Sequence, residues 1–174
     1  MALAYFGDLA TVAQQIDKAQ LMRLREMVRS CTGMIWIAGN GGNYANALHW
    51  AVDLAKMHNR AIGALGANGG LMTAYTNDIS YADAYAIEFS TLARDGDLLI
   101  CLSASGTSPN IVRLIATAKE RNIPSAIITG VISNMPAQAD HIVRIWSKDY
   151  AIIEDCTAAI GHWLTKALYE RSSH

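Results

Sequence analysis

Short apolar runs alternate with helical patterns along almost the whole chain. Continuous apolar runs bounded by Gly, Pro, Asp or Asn are typical of strands that are buried on both faces, and residues with helical periodicity separate these runs. Strands are predicted at residues 34–38, 61–65, 97–103, 125–129 and 141–146, and helices at residues 9–28, 43–57, 81–93, 110–121 and 151–170. This alternation predicts an α/β fold with a doubly wound parallel sheet, covered by helices on both sides.

Length and charge restrict the class of protein. The 174 residues are 52% hydrophobic, which is enough for one buried core and too little for two ordinary domains, so residues 1–174 are expected to form a single domain. The net charge is −1 and no run of Lys or Arg exceeds two residues, so nucleic acid and membranes are not expected partners. Without a signal peptide or a membrane span, the expected location is the cytoplasm.

The three cysteines are expected to be reduced. Cys31, Cys101 and Cys156 are odd in number, widely spaced and set in apolar surroundings. A disulfide framework or a zinc knuckle would need paired or closely spaced cysteines. These residues are therefore predicted to pack in the core as small apolar side chains.

Two loops follow predicted strands at the edge of the sheet where ligands bind in folds of this class. The first is the glycine turn, GNGG at residues 39–42, and the second is the serine loop, SASGTS at residues 103–108. Each precedes a predicted helix, whose free N–H groups and dipole favour an anion. Four hydroxyls in the serine loop exceed what a helix cap needs, which favours a phosphate monoester over the alternative of capping alone.

Two other phosphate-binding motifs are absent from the sequence. The glycine turn does not have the G-x-G-x-x-G spacing of dinucleotide sites, and no acidic residue ends a second strand at the expected distance. No G-K-S/T sequence follows either loop. A nucleotide cofactor is therefore not predicted.

Three stretches of sequence together resemble a known family. GNGGNYANALHWAVDLA, then TND, then GDLLICLSASGTSPNIVRLIATAKERNIPSAIITG are similar to the sugar isomerase (SIS) domain family, and most closely to its phosphoheptose isomerase branch. The resemblance implies a single domain with a five-stranded parallel sheet flanked by helices and preceded by an N-terminal helix. It also implies a homotetramer whose active sites lie between subunits.

The resemblance further implies a divalent metal, Zn²⁺ or another transition metal, held by His49, Asp53, Glu154 and His162. The spacing within each pair is compatible with this. His49 and Asp53 are four residues apart, and Glu154 and His162 are eight apart, so each pair shares one face of its helix. Nitrogen and oxygen ligands of this kind suit such a metal.

The chain departs from the family pattern at five positions. Asn43 stands where the family usually has Ser, Asp53 where it has Glu, and Glu154 where it has Gln. Ala151 and Ile152 replace a typical Asp-Arg pair. Because these positions lie in or near the expected site, the substrate of this chain can differ from that of the family.

The activity implied by the resemblance is aldose–ketose isomerisation of a sugar phosphate, with sedoheptulose 7-phosphate as the substrate. Proton transfer through an enediol needs a base, a second acid/base and an electrophile; these are expected to be Asp53, His162 and the metal. The residues expected to bind substrate are Asn40, Gly41, Asn43, Asp78, Ser103, Ser105, Thr107 and Ser108. The alternative is a noncatalytic family member that binds a sugar phosphate or a protein such as a replication initiator.

Overall fold

Five parallel strands form one sheet in the order β2-β1-β3-β4-β5. The structure is a computed structural model that describes residues 2–133 and 138–169. The strands are β1 (Ile35–Gly39), β2 (Ile62–Ala64), β3 (Leu98–Leu102), β4 (Ser125–Thr129) and β5 (His141–Arg144). The predicted five-stranded parallel sheet is confirmed, and each predicted strand agrees with an observed strand to within two residues at either end.

Helices cover both faces of this sheet. In the described ranges they are α1 (Ala2–Gln14), α2 (Lys18–Ser30), α3 (Gly42–His58), α4 (Gly69–Asp78), α5 (Tyr81–Leu92), α6 (Pro109–Glu120) and α7 (Tyr150–Tyr169). The α/β fold predicted from the sequence is therefore confirmed. The predicted last residue of the final helix, position 170, and the tail 171–174 lie outside the described residues.

Side chains alternate along each central strand and so divide the core into two clusters. In β1, Ile35 and Ile37 face the cluster that contains the buried residues of α2, α3 and α7, whereas Trp36 faces the cluster that contains those of α5 and α6. All five residues of β1, β3 and β4 are buried. The sheet is covered on both sides, as continuous apolar strands require.

The predicted helix at residues 9–28 is wrong as a single element. The chain forms α1 and α2 with a break at residues 15–17, because the Asp17 side chain caps the second helix by accepting a hydrogen bond from Ala19 N at 2.7 Å. Apolar periodicity continues across this break and therefore predicts one helix. The N-cap residue Asp17 was the sequence signal for the second helix, and it was overlooked.

Helix α4 was not predicted. The helix begins at Gly69, after Asn68 caps its first turn by accepting a hydrogen bond from Leu71 N at 3.1 Å. No residue of α4 is buried, so this helix lacks the apolar face from which a helix is recognised in a sequence.

All three cysteines are buried and free, which confirms the expectation of reduced core thiols. Burial raises the pKa of the Cys156 thiol to about 11, with a smaller contribution from the nearby Asp155 carboxylate. In the ranges that the structure describes, no helix combines the length and apolar character needed to cross a membrane.

Helices α3 and α7 pack closely at one point where a side chain is absent. Gly161 of α7 lies against the indole of Trp50 in α3, which is 1% exposed, and a Cβ at position 161 would overlap the indole ring. The contact is flanked by a hydrogen bond from Asn46 Nδ2 to Glu154 O at 2.9 Å. The two helices therefore approach at a distance that only glycine permits.

Replacing Gly161 by Ala should lower the free energy of unfolding by about 1–3 kcal/mol, because the added methyl group forces the buried indole to move. Gly7→Ala is the matched control, since Gly7 also lies inside a helix and a Cβ there would contact nothing. The control should be neutral or stabilising by up to about 1 kcal/mol. Denaturant unfolding of both variants measures the difference. Equal free energies of unfolding for the two variants would contradict the close contact between Gly161 and Trp50.

Candidate active site

The order of the strands creates a crevice between β1 and β3. These strands are neighbours, but β1 leads into α3 on one face of the sheet and β3 leads into α6 on the other. Connections that diverge in this way leave a gap at the carboxyl ends of the two strands, which is where ligands bind in open parallel sheets. The glycine turn and the serine loop lie on the two sides of this gap.

The glycine turn brings main chain close to the gap. Gly41, the residue at the N-terminus of α3, has φ of 57°, a conformation that favours glycine. Gly42 lies against the carboxylate of Glu154, so a side chain at position 42 would displace that carboxylate. No side chain caps this end of α3. Its first N–H groups are thus left for a ligand.

The serine loop is stabilised by hydrogen bonds from its main-chain N–H groups to its own serine hydroxyls. Ser103 Oγ accepts from Gly106 N and Ser105 Oγ accepts from Thr107 N, both at 3.2 Å. A hydroxyl that accepts still has its proton to donate. Ser108 is the residue at the N-terminus of α6, but its side chain makes no capping hydrogen bond. Asn110 Oδ1, rather than one of the four hydroxyls, accepts from Ile111 N in the first turn of α6 at 3.0 Å. Capping therefore does not explain the four hydroxyls, and they are available to an anion at this helix N-terminus.

Two residues of α5 form hydrogen bonds with the main chain at and beside the glycine turn. Tyr85 donates its hydroxyl to Gly39 O at 2.6 Å, and burial raises the pKa of this phenol, so the hydroxyl keeps its proton. Glu88, which is 5% exposed, accepts from Gly66 N at 2.7 Å. Burial raises the pKa of the Glu88 carboxyl, and the Gly66 hydrogen bond opposes this shift. These contacts fix the ends of β1 and β2 beside the crevice.

The predicted sugar-binding residues differ in their surroundings. Asn40 exchanges two hydrogen bonds with Asn110, so much of its amide is already engaged. Asn43 is 2% exposed, and its Oδ1 has no hydrogen-bond partner in the described part of the chain. Asp78 is exposed at the end of α4 and accepts from the adjacent Asn77 at 2.8 Å. Of the three, Asn43 has the unused hydrogen-bonding capacity that suits a ligand contact.

His49, Asp53 and His162 come together on the outer side of α3 and α7. The Nε2 atoms of the two histidines are 2.8 Å apart, and Asp53 Oδ2 lies 3.3 Å from His49 Nε2 and 3.8 Å from His162 Nε2. Tetrahedral coordination with bonds of 2.0–2.2 Å separates ligand atoms by roughly 3.3 Å. The donor atoms and their spacing therefore fit a transition metal such as Zn²⁺.

This His/Asp cluster is open to solvent. The side chains of His49 and His162 are 51% and 56% exposed, and that of Asp53 is 23% exposed. A catalytic metal site keeps one coordination position for water or substrate. Three protein ligands on an exposed surface leave room for that position.

Glu154, the fourth residue expected to bind metal, is not part of the cluster. Its carboxylate lies against Gly42, at the start of α3. Glu154 and His162 are eight positions apart in the sequence, which corresponds to about 12 Å along α7. A shared helix face is therefore not sufficient to bring both side chains to one ion, and Glu154 lies instead beside the glycine turn.

Two other histidines have structural partners. The Nε2 atom of His58 lies 2.8 Å from Thr165 O, and its ring packs on Tyr169 at a centroid distance of 4.4 Å. The Nε2 atom of His141 lies 2.8 Å from Gln20 O. The contacts of His58 with α7 indicate that its loss destabilises the fold.

Two cavities lie at opposite edges of the sheet. The one beside the glycine turn has a volume of about 380 Å³ and is bordered by Tyr44, Tyr81 and Tyr85. The larger one, of about 560 Å³, lies near the amino ends of β3 and β4. Asp97 in the larger cavity accepts from Met34 N at 2.7 Å and from two further N–H groups, so its carboxylate stabilises a turn. The smaller cavity is the one that belongs to the site.

Comparisons with known proteins agree with this architecture. A family model described as "SIS domain" matches residues 4–130. The chain belongs to the SIS domain family. It is 30% identical over 165 residues to the phosphoheptose isomerase of Maridesulfovibrio salexigens, which covers 91% of this chain and 78% of that protein. It is also 30% identical over 167 residues to phosphoheptose isomerase 1 of Campylobacter jejuni, covering 91% and 90% of the two chains.

A solved structure resembles this SIS domain chain over nearly its whole length. The phosphoheptose isomerase of Neisseria gonorrhoeae superposes with a TM-score of 0.89 at 25% identity, covering 96% of each chain. The five-stranded sheet and its helices are therefore those of the SIS fold.

Zinc titration of metal-free protein tests the His/Asp cluster. His49→Ala should weaken zinc binding by more than the 10–100-fold typical of losing a supporting hydrogen bond, with little change in Tm, since the side chain is half exposed. His58→Ala is the matched control on the same helix. It should lower Tm, since it removes the contact with Thr165, and leave zinc affinity unchanged. Equal zinc affinity of the two variants would contradict metal binding by the His/Asp cluster.

Proposed function

We propose that this protein is a metal-dependent isomerase that converts sedoheptulose 7-phosphate into an aldose heptose 7-phosphate. The observation that carries the proposal is the His/Asp cluster, because proton transfer between adjacent carbons needs closely spaced acid and base groups. The relatives named phosphoheptose isomerase, which match the chain over about 90% of its length, support the same reaction class.

The phosphate of the substrate would bind at the serine loop. Ser103 and Ser105 keep hydroxyl protons to donate, and Thr107 and Ser108 add two more hydroxyls at the uncapped start of α6. A helix N-terminus and neutral donors stabilise a phosphate dianion without a bound arginine. Asn43 and the main chain of Gly41 lie on the opposite side of the crevice, where the sugar hydroxyls would be bound.

The position of the cluster along α3 favours a long substrate. His49 lies seven residues beyond Gly42, about 10 Å along the helix axis. A long carbon chain with its phosphate at the serine loop passes the glycine turn and reaches the base across this separation better than a short one. This is the geometric support for a seven-carbon phosphate.

Asp53 and His162 would perform the proton transfers. Asp53 Oδ2 faces both imidazoles, whereas no hydrogen bond to Oδ1 is found within the described ranges. One carboxylate oxygen is thus oriented by the histidines, and the other is available to remove the proton from the carbon next to the carbonyl. His162 would move the proton between the two oxygens of the enediol through its Nδ1 atom, because its Nε2 atom is the one that faces the metal-binding cluster.

A divalent transition metal would be held by His49, Asp53 and His162. When bound, it supplies an electrophile that stabilises negative charge on the enediol oxygens. The residues of the chain orient the substrate and carry its protons. Because Asp53 offers two oxygens, holding the metal and accepting a proton are compatible roles for one side chain.

Further copies of the chain would complete the site in a homotetramer. Leu48 and Val52, which flank the cluster residues on α3, are 37% and 60% exposed, and Leu3 and Phe6 on α1 are 86% and 67% exposed. Apolar surface of this extent is typical of an interface. The open face of the cluster would then lie between subunits.

Light scattering tests this assembly. The wild-type chain should have four times the mass of one chain, and Val52→Glu should shift the population to smaller species, because a buried unpaired carboxylate destabilises an interface. Ala116→Glu, at an exposed position on α6 away from these apolar residues, is the control and should stay tetrameric. A monomeric wild-type protein would contradict the proposed assembly.

Steady-state kinetics with sedoheptulose 7-phosphate test the activity. Asp53→Asn should lower kcat by about 10²–10⁴-fold, because it removes the base but keeps the size of the side chain. Ser108→Asp should instead raise KM, because it places a carboxylate where the phosphate binds. Ser105→Ala should raise KM by a smaller factor, since it removes one neutral donor.

The outcomes of this assay separate the two functions considered. A wild-type protein that binds zinc and a sugar phosphate but converts none of a panel of ketose and aldose phosphates would favour the noncatalytic alternative. An active wild type with unchanged kinetics in Asp53→Asn and Ser108→Asp would contradict the assigned residues but leave the reaction in place.

A further inference from the structure

A reciprocal pair of side-chain amides connects the two loops across the crevice. Asn40 Nδ2 donates to Asn110 Oδ1 at 3.0 Å, and Asn110 Nδ2 donates back to Asn40 Oδ1 at 2.8 Å. Asn40 belongs to the glycine turn, and Asn110 is the second residue of α6, directly after the serine loop. Asn110 is completely buried. Hydrogen bonds in such surroundings are directional, and each is costly to lose.

Tyr81, the first residue of α5, completes this contact. Its hydroxyl donates to Asn40 Oδ1 at 2.7 Å. The two lone pairs of that oxygen are then filled, one by Asn110 and one by Tyr81. The Asn40 carbonyl is therefore not available to a sugar hydroxyl, and only one N–H of its amide remains for a ligand.

We propose that Asn110 and Tyr81 are positioning residues that act through Asn40 to set the distance and orientation of the glycine turn relative to the serine loop. The inference rests on the proposed function, in which the phosphate binds at one loop and the sugar at the other. A substrate that is bound at both loops reacts only if its reacting carbon lies at the right distance from the base. The relative position of the two loops determines that distance.

The expected effect of losing this register falls on kcat. A misplacement of about 1 Å can reduce a rate about 10²-fold, because the reacting atoms leave the near-attack geometry. Phosphate binding should persist, because the donors of the serine loop do not involve Asn110. Ile111 N donates both to Asn110 Oδ1 and to Ser108 O at 3.0 Å, so the start of α6 keeps its main-chain hydrogen bond when the Asn110 side chain is removed.

The test compares three variants in the isomerase assay, at temperatures well below their measured Tm. Asn110→Ala should lower kcat about 10–100-fold, and Tyr81→Phe about three- to tenfold. Inhibition by inorganic phosphate should stay within about twofold of wild type in both. Tyr169→Phe is the matched control, because it removes a tyrosine hydroxyl bonded to Met57 O far from the crevice, and its kcat should not change.

A double-mutant cycle tests whether Asn40 and Asn110 affect kcat through the same interaction. If Asn110 acts through Asn40, the variant with both Asn40→Ala and Asn110→Ala should lose no more kcat than the more damaging single variant. Independent, multiplicative losses would contradict the inference. So would a kcat of Asn110→Ala within about twofold of wild type, or a loss of phosphate inhibition in parallel with kcat. An inactive wild-type protein would contradict the proposed function, and this inference with it.

Discussion

The packing of α3 against α7 is the contact on which the chemistry of this protein depends. Gly161 lets the two helices approach at the buried indole of Trp50, and His58 and Thr165 fix them beyond it. His49 and His162 are brought to 2.8 Å by this packing, without a loop or a turn to position them. The acid and base groups therefore sit on rigid elements, with a geometry set by core packing rather than by their own contacts.

The crevice between β1 and β3 adds the second requirement, which is recognition of an anion. Because α3 and α6 leave the sheet on opposite faces, their N-termini meet at its carboxyl edge, and in neither helix does the side chain of the N-cap residue accept a hydrogen bond. By contrast α2, α4 and α5 are capped by Asp17, Asn68 and Ser80. In the proposed function, these two helix ends bind the substrate where a cap would exclude it, and the amide of Asn110 keeps the two loops in register.

The sequence predicted the elements that carry a strong apolar signal and missed those that do not. Continuous apolar runs identify the buried strands, whereas α4 has no buried face and was missed. Spacing placed His49 and Asp53 on one helix face, but the approach of His162 depends on packing between distant segments. The same limit explains Glu154, whose helix face was predicted correctly although its place beside Gly42 was not. The amide pair of Asn40 and Asn110 spans 70 residues, and no local pattern indicates it.

Proton exchange with solvent during turnover tests the proposed role of the His/Asp cluster most directly. An enediol pathway removes a proton from carbon and returns one, so product formed in D₂O should carry deuterium on the carbon next to the carbonyl, as NMR would detect. The wild-type enzyme should introduce deuterium at this single position, and Asp53→Asn should introduce none. Deuterium incorporation that persists at the wild-type rate in Asp53→Asn would contradict proton transfer by this cluster.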